Sequence, residues 1–301
     1  MKPVIETTRR IMWRFLWRFA MAASVVLGFC WRYLSAPIAI DKRTDDENVE
    51  GTQTSTQVST IEHTADTEDN SSVAARSGRL LARPSKVNQN ASRGLLRLGL
   101  GNLRDGLIYV PPGYQADRPV PLVLSLHGAG GNANQGLRLL QQHADRSGFI
   151  LLAVESRRST WDMLLGGYGP DVEFINRALT RTFSRYAVDP ARVAIAGFSD
   201  GASYALSLGI TNGDLFNRII AFSPGFMAPA EQRGKPLIFI SHGKRDKVLP
   251  IDKCSRRIVP QLQSAGYAVR YREFDGPHTL YKDVSQEAAT WWLHNDRAAA
   301  Q

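Results

Sequence analysis

The stretch Arg192 to Gly209, "RVAIAGFSDGASYALSLG", constrains this chain more than any other. Val193-Ala194-Ile195-Ala196 is short, apolar and bounded by Gly197, which predicts a buried strand. From Ala202 onward, small and apolar residues recur at helical spacing. Only Gly197-Phe198-Ser199-Asp200-Gly201 lies between, too little for an ordinary loop. A strand that becomes a helix within about two residues forces the apical residue into a strained, positive-φ turn. Glycines on both sides relieve the crowding there, and the serine side chain projects out of the fold. Such an elbow suits a nucleophile, provided the serine has partners.

Strands and helices alternate around this elbow. Leu107 to Val110 and Leu122 to Leu126 are predicted strands, followed by a helix over 134–147. Phe149 to Val154 is the next strand and 171–187 the next helix, before Val193 to Ala196 and a helix from 201. Arg218 to Phe222, Leu237 to Ser241, a helix over 252–265, Val269 to Phe274 and a helix over 282–294 complete the series. This alternation implies a mostly parallel sheet with helices on both faces.

The N-terminal part is different. Phe19 to Trp31 carries no charge and is flanked by Arg18 and Arg32; its thirteen residues are short for a membrane span of about 20 and suit a secretory core of roughly 7–15. Residues 1–34 are therefore expected to be a signal or a membrane anchor, with membrane association through 11–34 and export or anchoring of the domain that follows. Residues 35–91 are rich in Thr, Ser, Asp and Glu and poor in large apolar residues, so a disordered linker is expected there. The folded domain is expected over 92–297.

Charge follows the same division. Residues 1–43 hold eight Lys and Arg against two acids, and 44–75 hold eight acids and no base. From residue 76 there are 29 basic and 18 acidic residues. No nucleic-acid-binding motif accompanies this surplus, so no nucleic-acid partner is expected. Cys30 and Cys254 are the two cysteines, which excludes a disulfide framework within the domain. No CxxC or HExxH pattern occurs, so neither a metal nor a cofactor is expected.

A parallel sheet presents reactive groups at the carboxyl ends of its strands. Three such ends carry Ser199, then Asp246 in "ISHGKRDKVLP", then His278 in "EFDGPHTLY". This order and these strand positions resemble the α/β-hydrolase fold over roughly residues 92 to 295. Ser199 is assigned as nucleophile, His278 as general base and then acid, and Asp246 as the group that orients the imidazole. Asp252 is set aside as a residue at a helix start, and His242 and His127 as turn histidines. Asp171 reads as a helix cap rather than a catalytic acid.

The resemblance implies an oxyanion hole in "LSLHGAGGNAN", formed by the amide of Ala129 (or Gly130) with that of Asp200, just after the nucleophile. Trp161, Phe198 and Tyr281 are the candidate walls of a substrate pocket, with packing as the alternative for Trp161. Within the fold, "YVPPGYQADRPVPLVLSLHGAGG" is similar to the polyhydroxybutyrate depolymerase and feruloyl-esterase-like group and to the phospholipase/carboxylesterase group. The segment between the strands at 218–222 and 237–241 leaves no room for a large lid domain. The resemblance implies a metal-independent serine esterase acting on a small-molecule or polymeric ester. A serine peptidase of the same fold and a non-catalytic binding module remain as alternatives.

Overall fold

The computed structural model describes residues 70–87, 91–101 and 103–293. The expected signal or anchor over 1–34 lies outside these residues, as does most of the expected linker. Eight strands form one sheet: β1 Gly94–Arg97, β2 Gly106–Val110, β3 Val120–Leu126, β4 Ile150–Val154, β5 Val188–Phe198, β6 Arg218–Phe222, β7 Leu237–Gly243 and β8 Val269–Phe274. Their order is β1-β2-β4-β3-β5-β6-β7-β8. The first two strands run antiparallel, and the other six are mutually parallel.

Alternating side chains build a core on each face. On β5, Val193 and Ile195 join one cluster, whereas Ala194 and Ala196 join the other. The first face carries helices α3 Pro170–Phe183, α4 Asp200–Thr211 and α5 Ser255–Ser264. The second carries α1 Ala133–Arg138, α2 Gln141–Ser147 and α6 Lys282–Leu293. Helices therefore cover both faces, as the alternation required.

The structure departs from the sequence expectation at several elements. The helix expected over 134–147 is two helices, because Leu139 and Leu140 donate to carbonyls three residues back and the chain tightens there. That break turns both leucines into the core. The helix expected over 171–187 stops at Phe183, and that expected over 252–265 begins with a separate turn at Ile251–Lys253. Strand β1 was not anticipated; on this edge strand exposed positions alternate with half-buried ones.

A further departure moves the start of the domain. Residues 70–76 are helical, and the chain that follows is strapped across the end of α4. Asn212, fully buried, accepts from the Leu80 amide at 2.8 Å and donates to the carbonyls of Gly78 and Leu208 at 2.8 and 2.9 Å. Arg79 donates to the Thr211 carbonyl and pairs with Asp214, and Leu80 is completely buried. The polar composition of this segment hid those few anchors. Asn212→Ala leaves a buried donor and acceptor unpaired and is expected to cost about 2–4 kcal/mol in urea unfolding. A loss below about 1 kcal/mol would show that the strap adds no stability.

Candidate active site

Strand β5 delivers the chain to the centre of the sheet and α4 leaves at once. Ser199 joins them with φ 56° and ψ −121°. The flanking glycines are required sterically: a Cβ on Gly197 would lie 2.1 Å from the Gly201 carbonyl oxygen, and one on Gly201 would lie 2.4 Å from that of Leu126. The Ser199 amide donates to the Phe222 carbonyl on β6 at 2.9 Å, which fixes the apex. Only 8% of Ser199 is exposed, at the carboxyl edge of the sheet.

The three residues predicted from the strand ends meet there. His278 Nε2 lies 2.9 Å from Ser199 Oγ, and His278 Nδ1 lies 2.6 Å from Asp246 Oδ2. An ionised carboxylate only accepts, so Nδ1 carries the hydrogen and Nε2 accepts from the serine hydroxyl. The other carboxylate oxygen, Asp246 Oδ1, accepts from the amides of Val248 and Leu249 at 2.9 and 2.8 Å. Burial alone would raise the Asp246 carboxyl, but hydrogen bonds from His242, His278 and the backbone hold it well below the usual carboxylate range. It stays ionised and available to an imidazolium.

The loop after β3 arches over the elbow. A Cβ on Gly128 would lie 3.4 Å from Ser199 Cβ, which places the next residue, Ala129, beside the serine. Of the two amides expected here, that of Gly130 already donates to the Ser159 carbonyl at 2.6 Å. That amide is therefore already engaged, which leaves Ala129 as the candidate of the pair. Asp200 is the first residue of α4, where an amide has no helical acceptor. Its side chain is buried and accepts from Thr160 Oγ1 at 2.6 Å. Burial pushes this carboxyl up, and the Thr160 hydroxyl and His278 oppose the shift.

His127 supports this loop and does not touch Ser199. Its Nδ1 donates to the Gly128 carbonyl at 2.7 Å and its Nε2 accepts from the Ser156 amide at 3.0 Å. Burial lowers it to about 4, so the ring is neutral in that role. Trp161 is corrected as a pocket wall: it is completely buried, stacks on Tyr204 at 5.0 Å and donates to the His127 carbonyl at 3.0 Å. An indole after a strand reads alike in sequence whether it faces a pocket or a core. Phe198 does reach the site, with its ring 4.8 Å from that of His278. Tyr281 is 42% exposed and packs edge-on against Phe274.

Asp171 is not a helix cap. The cap position is Gly169, and Asp171 accepts from the amides of Arg157 and Asp162. Asp162 in turn accepts from Asp171, Gly169, Met163 and the Tyr204 hydroxyl. Burial and the neighbouring Asp162 charge push Asp171 up to about 7. A cleft of about 350 Å³ beside this pair is lined by Arg157, Arg158, Tyr168 and others, and by none of Ser199, Asp246 and His278.

Ser203, Ser207 and Thr211 recur every four residues along α4 and send their hydroxyls to the carbonyls one turn back. The same oxygens accept from the amides of Gly225, Phe226, Ala228 and Ala230. The short segment after β6 is thereby zipped onto the helix that carries Ser199. The i, i+4, i+8 spacing of hydroxyls in an apolar helix was the available signal.

A model of the phospholipase/carboxylesterase family matches residues 172–290. A probable feruloyl esterase C of Aspergillus oryzae is 28% identical over 160 residues, half of this chain and 58% of that protein. The chain thus spans somewhat over half the length of the curated relatives it matches. Esterase PE8 superimposes with a TM-score of 0.52 at 24% identity, over 62% of this chain and 97% of its own. A ferulic acid esterase from the anaerobic fungus Anaeromyces mucronatus does so at 0.51 and 16% identity, over 69% and 96%. The resemblances reached from the sequence, to the phospholipase/carboxylesterase and feruloyl-esterase-like groups, both recur here.

Proposed function

We propose that this chain, whose fold is that of the α/β-hydrolases, cleaves carboxylic esters through an acyl-enzyme on Ser199. The observation that carries the reading is the continuous hydrogen-bonded line Ser199–His278–Asp246, with Ser199 at a strained apex. His278 Nε2 takes the hydroxyl proton as Ser199 Oγ attacks the ester carbonyl. Asp246 stabilises the imidazolium that forms. The amides of Ala129 and Asp200 receive the developing oxyanion, each such donor being worth about 2.7–4 kcal/mol in the transition state. His278 then returns the proton to the alcohol oxygen as the carbon–oxygen bond breaks. Water, deprotonated by the same imidazole, attacks the acyl-enzyme and releases the acid. The named relatives support an ester over an amide and make hydroxycinnamoyl esters the first series to try. Among the described residues the zipped segment after β6 is short and holds no large lid, which suits bulky or polymeric esters.

The test is labelling of the full chain with a fluorophosphonate, with the adduct mapped by mass spectrometry, beside rates on methyl ferulate, nitrophenyl acyl esters and matched anilides. A stoichiometric adduct on Ser199, absent in His278→Ala, together with ester turnover is the expected result. Labelling without ester turnover but with anilide cleavage would replace this reading with a peptidase. No adduct in folded protein would sink it.

A further inference from the structure

Asp246 has a second imidazole on it. His242, at the end of β7, is completely buried, and its Nε2 lies 3.3 Å from Asp246 Oδ2, the same oxygen that receives His278. That Nε2 also lies 2.8 Å from the Leu249 carbonyl. Both partners only accept, so Nε2 carries the hydrogen and shares it between them. On the far side of the ring, Nδ1 is 2.7 Å from the hydroxyl of buried Ser255, which therefore donates. Leu249 closes the unit, since its amide donates to Asp246 Oδ1 while its carbonyl accepts from His242.

We propose that His242 is a positioning residue for the triad: held by Ser255, it directs Nε2–H onto Asp246 and keeps Oδ2 aimed at His278. This rests on the serine-hydrolase reading of Ser199. A histidine that merely filled the core or tied down the turn after β7 would need only the Leu249 carbonyl. Here its hydrogen is shared with the one oxygen on which His278 depends. Four donors then bracket the carboxylate: two backbone amides on Oδ1, and two imidazoles on Oδ2. Besides these groups, the charged neighbour that acts on His278 is Asp200.

The experiment follows the second-order rate of fluorophosphonate labelling of Ser199 against pH, in the full chain and in His242→Leu, His242→Gln and Ser255→Ala. Loss of the donor leaves Oδ2 less well held but more attractive to the proton it shares with His278. His242→Leu is therefore expected to label about 10-fold or more slowly at its optimum. Its acid limb is expected to move to higher pH. His242→Gln, whose amide nitrogen restores a donor, is expected to recover most of the rate and the original limb. Wild-type rate and limb in His242→Leu would overturn the inference, as would a slower rate with an unmoved limb and a matching loss of folded protein. Where His242→Leu does not fold, Ser255→Ala decides, because it leaves the ring in place but releases it. A limb displaced in the same direction supports the inference, and an unmoved one overturns it. Failure of the unaltered chain to label at Ser199 instead removes the serine-hydrolase reading itself.

Discussion

Ser199→Ala is expected to lower kcat on any ester the chain turns over by about six orders of magnitude, with KM changed by less than about threefold. The size follows from what the hydroxyl does. Without Oγ there is no acyl-enzyme, and His278 has no proton to take from the attacking atom. The donors proposed at Ala129 and Asp200 would still polarise a bound carbonyl, so a residual acceleration of about 10³–10⁴ over water is expected to survive. The variant should fold normally, since Oγ makes its one strong contact with His278 and the apex is held by the backbone bond to Phe222. Initial rates on the best ester, with circular dichroism as the folding control, check both parts. A loss smaller than about 100-fold would mean that another group attacks the ester.

The second large effect is on stability. Gly197→Ala places a Cβ 2.1 Å from the Gly201 carbonyl oxygen and 2.3 Å from its carbon. Both are backbone atoms, held between β5 and α4, so no side chain can swing aside. Separating them means moving the start of α4 off the sheet, and with it the fully buried Ala202, Ala205 and Leu206. The cost is expected to exceed about 3 kcal/mol, a large part of the 5–15 kcal/mol that holds a typical domain together. Thermal unfolding checks it. A variant within about 1 kcal/mol of the parent would show that the elbow has an alternative geometry.

What the sequence disclosed, and what it hid, follow from how locally each feature is written. β6 and β8 run over the residues expected, because each is a short β-prone segment after a connection that ends at a turn. Ser199, Asp246 and His278 were legible because the fold requires them directly after strands, so finding the strand finds the residue. The segment 70–87 was not legible, since its attachment depends on Asn212 and Asp214, more than a hundred residues away. Trp161 was half legible: its place in the loop after β4 was clear, but which way an indole turns is decided by Tyr204 and His127. His242 was read as a turn residue, and it does close the turn after β7. Its contact with Asp246 depends on the fold of "KRDKVLP", which returns the chain to bring Asp246 and Leu249 onto one ring.

The hydroxyls of α4 have a consequence for how such a site can change. Ser203, Ser207 and Thr211 grip the segment after β6 by its main-chain amides alone. An amide is common to every residue but proline, so these bonds are indifferent to side-chain identity, whereas Phe226 is also held by its ring, buried in the core. Toward the end of the stretch, where Pro229 is half-buried and Ala230 exposed, side chains can be exchanged while the ribbon that bears them stays in place. The chain thus separates residues held by their side chains from residues held by the main chain. A library confined to positions 229 and 230 would vary this surface without disturbing the helix that follows Ser199.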